Sequence, residues 1–179
     1  IHFEVIDNLL NPEGERQAIL AENQRFINHY GALCEAVHVL GELSPRALDA
    51  IGGMGEQMAI RVLAAYLRQV GQPAEAIDAT ELIVTDSNFV SAVPLLELTI
   101  PKTEARLRPQ LAQGVIPIVT GFIGANENGV TTTLGRGGSD YSGAILGQAR
   151  QAKEVWIWTD VDGVMTADPR LVSNAQSIP

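Results

Sequence analysis

Two short apolar segments, residues 115–120 and 155–159, constrain the fold more than any other feature of this sequence. Both are apolar almost throughout (VIPIVT and VWIWT), a pattern typical of strands buried on both faces of a parallel sheet. Pro117 cannot donate a ladder hydrogen bond, so the first strand is expected to begin there or to lie at a sheet edge. Residues 74–79 and 81–86 are predicted to add two further strands. Helical segments alternate with these strands, which predicts an α/β sandwich with a mostly parallel sheet.

Start signals, stop signals and apolar positions spaced three or four residues apart predict the helices. The longest begins near Asn11-Pro12 and ends at Gly41, and its apolar face consists of Phe26, Tyr30, Leu33, Val37 and Leu40. A short helix begins at Ser44-Pro45, and a third helix covers residues 56–70 after a glycine loop. Residues 95–100 are expected to be extended, before a helix that begins at Pro101. Residues 2–10 have no clear period and support no assignment.

Residues 131–140 (TTTLGRGGSD) contain the most distinctive local pattern of the chain. Three threonines are typical of a strand end, and the glycines that follow allow a sharp turn and the close approach of a ligand. Ser139 is a good N-cap for the helix predicted over residues 141–150, whose first turn would present unpaired N–H groups to an anion. Arg136 suits a carboxylate or phosphate, and Asp140 suits an amine or a metal-bound water. Glycines alone would indicate only a turn, whereas an Arg and an Asp in the same few residues favour a binding site.

In parallel α/β sheets, ligands bind beyond the carboxyl ends of the strands. The glycine turns that follow residue 119, residue 134 and residue 159 should therefore meet at one edge of the sheet. Asp160 and Asp162 follow the last of these strands, where a nucleotide or its magnesium would lie, unless they only cap the loop. The sequence has no serine-nucleophile elbow, dinucleotide-binding fingerprint or Walker lysine motif. Phosphoryl transfer fits these groups better, because its catalysis is largely positioning and charge neutralisation.

Composition and charge argue against several classes of partner. The formal net charge is −9, with 12 Lys and Arg against 21 Asp and Glu, and nucleic-acid binding needs clustered basic residues for counterion release. No apolar run approaches the ~20 residues of a membrane span, so no membrane partner is expected. The single cysteine, Cys34, cannot form an internal disulfide and indicates the cytoplasm. The histidines lack neighbouring ligands, so no protein metal site is expected, and the absence of repeats or linkers predicts one domain over residues 1–179.

Four segments together resemble the aspartokinases, within the amino-acid kinase family. They are GMGEQMA at residues 53–59, VIPIVTGFIG at residues 115–124, TTTLGRGGSDYS from residue 131 and WTDVDGVMTADPR from residue 158. The resemblance extends over about residues 46–173. It implies a three-layer α/β/α sandwich of the amino-acid kinase (carbamate kinase-like) type. It also implies ATP-dependent phosphorylation of the side-chain carboxylate of L-aspartate to 4-phospho-L-aspartate, the entry step towards lysine, threonine and methionine.

The resemblance also implies roles for individual residues. Arg136 would pair with a substrate carboxylate, and Ser139 would donate a hydrogen bond at the substrate end of the loop. Asp140 and Glu56 would hold the substrate amino group, and Asp140 is also taken as the catalytic residue. Considered alone, Glu56 in a first helical turn would only complement the helix dipole. ATP, with Mg²⁺ bound to it, would contact the residues Thr159, Asp160, Met165, Asp168 and Arg170.

The chain departs from the aspartokinase pattern in ways that bear on activity. Aspartokinases begin with a Lys-Phe-Gly-Gly strand and turn whose lysine bridges the transferring phosphoryl group, and nothing here matches it. The two lysines, Lys102 and Lys153, head a helix and precede a strand. The C-terminal regulatory ACT domains have no counterpart either, and Met165 stands where the family usually has Tyr. We therefore expect an incomplete kinase domain that binds ligands weakly and turns over poorly or not at all.

Two alternatives to an aspartate kinase remain open from the sequence. The first is a sister kinase that acts on glutamate, acetylglutamate or a nucleoside monophosphate, although the GRGGSD run argues against it. The second is a non-catalytic module that binds aspartate or nucleotide without consuming ATP. The family resemblance is also compatible with a homodimer, but no surface pattern in the sequence demonstrates one.

Overall fold

The computed structural model describes residues 1–158, 163, 165–168, 171–176 and 178. Within these residues, four helices come first, and the strands and two further helices follow from residue 74. In chain order the elements are α1 (His2–Leu9), α2 (Arg16–Leu40), α3 (Pro45–Gly52), α4 (Met54–Gln69), β1 (Ala74–Ile77), β2 (Val84–Thr85), α5 (Leu96–Ala112), β3 (Ile116–Val119), β4 (Ile123–Asn126), β5 (Thr131–Thr133) and α6 (Gly138–Ala149). A short 3-10 helix, Ala79–Glu81, connects β1 to β2.

The strands form two small sheets that are mostly parallel. β1 and β3 pair in parallel, with Ala74 opposite Ile116. β2 and β4 also pair in parallel, whereas β4 and β5 form an antiparallel hairpin with Gly124 opposite Thr132. Among the described strands β3 pairs only with β1, which fits the edge position predicted from Pro117. β3 is consequently half-buried, not buried on both faces, and Ile116 is 39% exposed. The predicted α/β class with a mostly parallel sheet is confirmed.

Two clusters of buried apolar side chains hold the helices together and against the strands. The first joins β1, the segment before β2, α5 and α6, and consists of Ile77, Ala79, Leu82, Ile83, Leu107, Leu134 and Ile145. The second joins α1, α2 and α4, and consists of Ile6, Leu10, Ile19, Val62 and Ala65. Full burial of one large aliphatic side chain contributes about 1.5–3 kcal/mol. This packing explains why residues 2–10, which have no clear sequence period, contain a helix: Ile6 is fully buried in the second cluster.

The helix ends follow the local sequence signals where those signals are strong. α2 ends at Gly41, which adopts a left-handed conformation (φ 68°) as its C-cap. The Ala47 N–H donates to the Ser44 hydroxyl (3.2 Å), which caps α3 as predicted. The start of α2 differs from the prediction, because residues 12–15 form a turn and the helix begins at Arg16.

The apolar face predicted for α2 is only partly buried within the described chain. Tyr30 is 44% exposed and Leu40 is 76% exposed, whereas the buried residues of this helix, Ile19 and Asn23, lie in its N-terminal half. The periodic pattern correctly predicted a helix. Contact with α4, which packs against the N-terminal half through Val62, decides which turns of α2 are covered.

The prediction of an extended segment at residues 95–100 is wrong. These residues form the first turns of α5, and Pro101 lies inside the helix instead of at its start. Thr99 is fully buried, and its hydroxyl accepts from the Val84 N–H (3.0 Å) and donates to the Val84 carbonyl (3.1 Å). These contacts with β2 outweigh the local preference of a β-branched residue for a strand.

The prediction of a buried strand at residues 155–159 is also wrong for residues 155–158, the part that the structure describes. Trp156 is 71% exposed and Trp158 is 86% exposed, and the segment has no strand conformation. A strand gains its stability from pairing and cross-strand packing, so strand propensity alone is insufficient. No strand of the described chain pairs with this segment.

Ion pairs connect several elements at the surface. Arg106 on α5 donates to Glu75 (2.7 Å) and Glu81 (2.9 Å), and Arg68 on α4 pairs with Glu15. The hydrogen bond from Arg106 holds the pKa of Glu75 below its usual value, and Arg68 lowers the pKa of Glu15 in the same way. In the described ranges, no helix is both long enough and apolar enough to cross a membrane.

We predict that Arg106→Gln lowers stability at neutral pH more than at acidic pH. Because the folded-state pKa of Glu75 is depressed, the ion pair contributes fully above about pH 5 and its contribution is lost as the pH falls through that folded-state pKa. The Glu75 side chain is 42% exposed, so water screens the pair, and we expect a loss of at most about 1 kcal/mol in the free energy of unfolding at pH 7. Urea unfolding at about pH 7 and about pH 3 measures both values. An equal loss of unfolding free energy at the two pH values would contradict the prediction. Arg108→Gln is the control, because the Arg108 side chain is 75% exposed.

Candidate active site

A glycine loop, residues 134–137, connects β5 to α6. Gly135 (φ 76°) and Gly137 (φ 72°) adopt left-handed conformations, in which a residue with a side chain is strained. The Gly138 N–H donates to the Gly135 carbonyl (3.1 Å) and closes the turn. α6 begins at Gly138 with Gly137 as its N-cap. The prediction that Ser139 is the N-cap is therefore wrong, because the left-handed glycine starts the helix before it.

A second glycine turn, residues 121–122, packs directly against this loop. A methyl group added to Gly121 would lie 2.6 Å from the Ser139 hydroxyl oxygen, and one added to Gly138 would lie 2.6 Å from the Phe122 Cβ. The hydroxyl could rotate away, but the Phe122 Cβ is fixed to its backbone, so Gly138 tolerates no side chain without a shift of the turn. The predicted meeting of the turn after β3 with the glycine loop is confirmed. The turn predicted after residue 159 lies outside the described residues.

Glu56, in the first turn of α4, binds the turn of residues 121–122. Its Oε1 accepts a hydrogen bond from the Gly121 N–H (2.9 Å). A methyl group on Gly121 would also lie 3.2 Å from this oxygen, so Glu56 and the Ser139 hydroxyl stand on the same side of Gly121. The carboxylate thus holds the backbone of the site and does more than complement the helix dipole. No hydrogen bond within the described chain engages its second oxygen.

The two turns border a cleft of about 270 Å³, and its lining residues are Phe122, Gly135, Gly137, Gly138, Ser139 and Asp140. The side chains of Ser139 and Asp140 are exposed. Arg136, which stands between two of the lining glycines, is also exposed and has no hydrogen-bond or ion-pair partner among the described residues. Three of the predicted substrate residues therefore lie close together, Arg136 in the glycine loop and Ser139 and Asp140 in the first turn of α6, and the structure brings Glu56 from a distant part of the chain next to Ser139.

A larger cavity of about 610 Å³ lies between residues 10–15 and α4. Its arginine, Arg68, already pairs with Glu15 and donates to the Ala74 carbonyl (2.7 Å). The glycine-lined cleft is the better candidate, because neither Arg136 nor the Asp140 carboxylate is engaged by the described part of the protein.

Phe122 is a residue of the cleft that the sequence analysis does not identify. It adopts φ 45°, which is strained for an aromatic residue. Strained residues persist only where the surrounding contacts hold them, and they cluster at functional sites. The available signal was a bulky residue next to Gly121, directly after a strand.

Of the residues predicted to contact the nucleotide, the structure describes only Met165 and Asp168. Thr159, Asp160 and Arg170 lie outside the described residues. Met165 and Asp168 are described and partly buried, but neither lines the cleft. Within the described ranges, no group of three or more His, Cys, Asp or Glu residues could hold a metal ion.

The geometry agrees with a known family. The model of the amino acid kinase family matches residues 7–179. The chain belongs to the amino acid kinase family. The resemblance to aspartokinases and the predicted amino-acid kinase fold are confirmed by similar proteins of that family.

Several proteins with similar sequences and structures are aspartokinases. Aspartokinase 3, chloroplastic, of Arabidopsis thaliana is 37% identical over 169 residues, which are 93% of this chain and 30% of that protein. Lysine-sensitive aspartokinase 3 of Escherichia coli is 36% identical over 178 residues, which are 99% of this chain and 38% of that protein. The crystal structure of E. coli aspartokinase III in complex with aspartate and ADP superimposes with a TM-score of 0.87 at 35% identity, over 99% of this chain and 38% of that chain. The chain thus spans about a third of the length of these relatives.

We predict that Gly138→Ala destabilises the protein and closes the cleft. The added methyl group would meet the Phe122 Cβ at 2.6 Å, and overpacking of this kind costs about 1–3 kcal/mol. Gly143→Ala in the same helix is the matched control, because nothing lies within 4 Å of its added methyl group. Its better helix propensity should stabilise the protein by about 0.5–1 kcal/mol. Urea unfolding measures both variants, and equal free energies of unfolding would refute the close packing of the two turns.

Proposed function

We propose that this chain carries the aspartate site of an aspartate kinase. The enzyme would transfer the γ-phosphoryl group of ATP to the side-chain carboxylate of L-aspartate, forming 4-phospho-L-aspartate and ADP. The observation that carries the proposal is a glycine-lined cleft bordered by Ser139 and Asp140, with Glu56 held beside Ser139 through its hydrogen bond from the Gly121 N–H. Similarity to E. coli aspartokinase III, whose solved structure contains aspartate and ADP, supports the same function.

The proposed site offers both signs of charge to a zwitterionic amino acid. The Arg136 guanidinium pairs with a carboxylate of aspartate through two charge-assisted hydrogen bonds. Asp140 and the second oxygen of Glu56 accept hydrogen bonds from the ammonium group of the substrate. The Ser139 hydroxyl donates to the substrate at the end of the loop. In this proposal Asp140 touches the substrate and is the catalytic residue.

Phosphoryl transfer depends mainly on positioning and on neutralising negative charge. A protein of net charge −9 must provide that neutralisation with a few placed groups. The N–H groups of Ser139 and Asp140 in the first turn of α6, next to Arg136, suit an anionic group of the substrate. Mg²⁺ would be supplied with ATP, and the family resemblance assigns the nucleotide contacts to Thr159, Asp160, Met165, Asp168 and Arg170.

Neither lysine of the chain lies at the cleft. Lys102 donates to the Thr80 carbonyl (3.0 Å), and Lys153 follows α6 without lining the cleft. The lysine that bridges the phosphoryl group in aspartokinases has no counterpart at the described site. We therefore expect this chain by itself to bind aspartate but to release ADP slowly or not at all.

The proposal extends to the cellular role. The product 4-phospho-L-aspartate would enter lysine, threonine and methionine synthesis. We propose a cytoplasmic location from the cysteine usage; the Arabidopsis relative is chloroplastic. A homodimer is proposed from the family resemblance.

We predict that Arg136→Ala weakens aspartate binding about 100-fold. The substitution leaves one substrate carboxylate without its charged partner, a loss of about 3 kcal/mol. Isothermal titration calorimetry with L-aspartate measures the affinity of wild type and variant. Arg108→Ala on α5 is the control, because its exposed guanidinium lies outside the cleft and should leave the affinity unchanged. Equal aspartate affinities of Arg136→Ala and wild type would show that Arg136 does not bind the substrate.

An acceptor panel tests the proposed function itself. ADP release is measured with Mg-ATP and aspartate, glutamate or uridine monophosphate, together with calorimetric binding of each acceptor. Binding of aspartate alone, with or without slow turnover, supports the proposal. Preference for glutamate or uridine monophosphate would replace it with a sister kinase, and nucleotide binding without any acceptor preference would indicate a non-catalytic module.

A further inference from the structure

Asp49 on α3 is a buried carboxylate with 1% exposure, and the site described above does not use it. Its Oδ2 accepts hydrogen bonds from the Val90 N–H (2.8 Å) and the Thr133 N–H (3.1 Å). Its Oδ1 accepts a hydrogen bond from the Thr133 hydroxyl (2.7 Å). A buried carboxylate is costly unless its oxygens are hydrogen-bonded. These bonds therefore favour one arrangement of α3, β5 and the loop of residues 86–94.

Both residues that bind Asp49 adjoin the start of the glycine loop. Thr133 is the last residue of β5 and precedes Gly135 by two positions. The Val90 carbonyl lies 3.2 Å from the position that a Cβ of Gly135 would occupy. A shift of either residue would therefore move Gly135, the first left-handed residue of the glycine loop.

Val90 also has a strained backbone. Its φ of 73° lies in the left-handed region, which a β-branched residue rarely adopts. Such strain persists only where neighbouring contacts hold it, and it tends to occur at functional sites. The hydrogen bond from its N–H to Asp49 anchors this residue to a helix outside its own loop.

The backbone of Asp49 contacts the start of α4. Its carbonyl accepts a hydrogen bond from the Gly53 N–H (3.2 Å). Gly53 is the N-cap of α4, and the first turn of α4 carries Glu56. Asp49 is thus bonded on one side to the strand before the glycine loop and on the other side to the start of the helix that bears Glu56.

We propose that Asp49 is a positioning residue that fixes the glycine loop relative to Glu56. It does not touch the substrate and acts through Thr133 and Val90, which set the position of Gly135. The consequence for aspartate affinity rests on the proposed function, whereas the consequence for the conformation of the loop does not.

Three variants separate this role from a general contribution to stability. Asp49→Ala removes every side-chain hydrogen bond of the residue. Asp49→Asn is the conservative variant, because its amide oxygen can accept from both N–H groups while its NH₂ donates to the Thr133 hydroxyl. Thr99→Val is the matched control, since it removes a buried hydroxyl with two bonds to the Val84 backbone and does not line the cleft.

Hydrogen exchange at the glycine loop is the direct measurement. The N–H groups of Leu134, Gly138 and Tyr141 donate to backbone carbonyls, so their exchange rates report how well the loop is held. We expect Asp49→Ala to raise these rates at least about tenfold relative to residues 62–69 of α4, and Thr99→Val to change them by less than about twofold. Asp49→Asn should remain close to wild type.

Aspartate affinity, measured by calorimetry on the same variants, connects the loop to the substrate. We expect a loss of about tenfold for Asp49→Ala and recovery in Asp49→Asn. Absence of aspartate binding in the wild type would overturn the proposed function, while the exchange rates would still decide whether Asp49 holds the loop.

Two results would overturn the positioning role. One is a folded Asp49→Ala protein whose loop exchanges like wild type, and the other is an equal effect of Thr99→Val on the same amides. If Asp49→Ala does not fold, Thr133→Val serves in its place, because it removes only the hydroxyl bond to Asp49. Unchanged exchange of the loop in folded Thr133→Val would then reject the proposal.

Discussion

The contact between the glycine turn at residues 121–122 and the glycine loop is the interaction on which the rest of the site depends. Gly138 lies against the Phe122 Cβ, and Gly121 lies against Ser139. Because neither glycine carries a side chain, the backbones after β3 and β5 approach closely enough to share one cleft. The charged groups on the glycine loop, in the first turn of α6 and on α4 can act together only because these two turns touch.

Carboxylates hold the irregular backbone around this contact. Glu56 accepts a hydrogen bond from the Gly121 N–H. Asp49 accepts hydrogen bonds from the N–H groups of Val90 and Thr133. Asp86 accepts a hydrogen bond from the Val93 N–H (3.0 Å), which holds the pKa of the Asp86 carboxyl below its usual value. Loops cannot pair their N–H groups within a helix or a sheet, so side-chain acceptors must satisfy them when water is excluded. In this acidic protein, part of the negative charge therefore serves to hold the loops near the cleft.

Local signals in the sequence were reliable where a single residue decides the conformation. The left-handed Gly41 ended α2, the Ser44 hydroxyl capped α3, and the glycine loop followed a threonine strand, as predicted. The failures lie where distant contacts decide. Residues 95–100 became helical through the contacts of Thr99 with β2. Trp156 and Trp158 are exposed, because within the described chain no strand pairs with their segment.

The sequence by itself determined the α/β class, the C-terminal ends of several helices, the family resemblance and the segment that carries Arg136, Ser139 and Asp140. These features depend on periodicity, on glycine and proline geometry, and on residues that are adjacent in the chain. Only the tertiary structure brought Glu56 to Gly121, placed Phe122 in the cleft and linked Asp49 to Thr133, 84 positions further along the chain. The reason is physical. Hydrogen bonds and van der Waals contacts act over a few ångströms, and residues that are far apart in the chain come within that distance only when the chain folds.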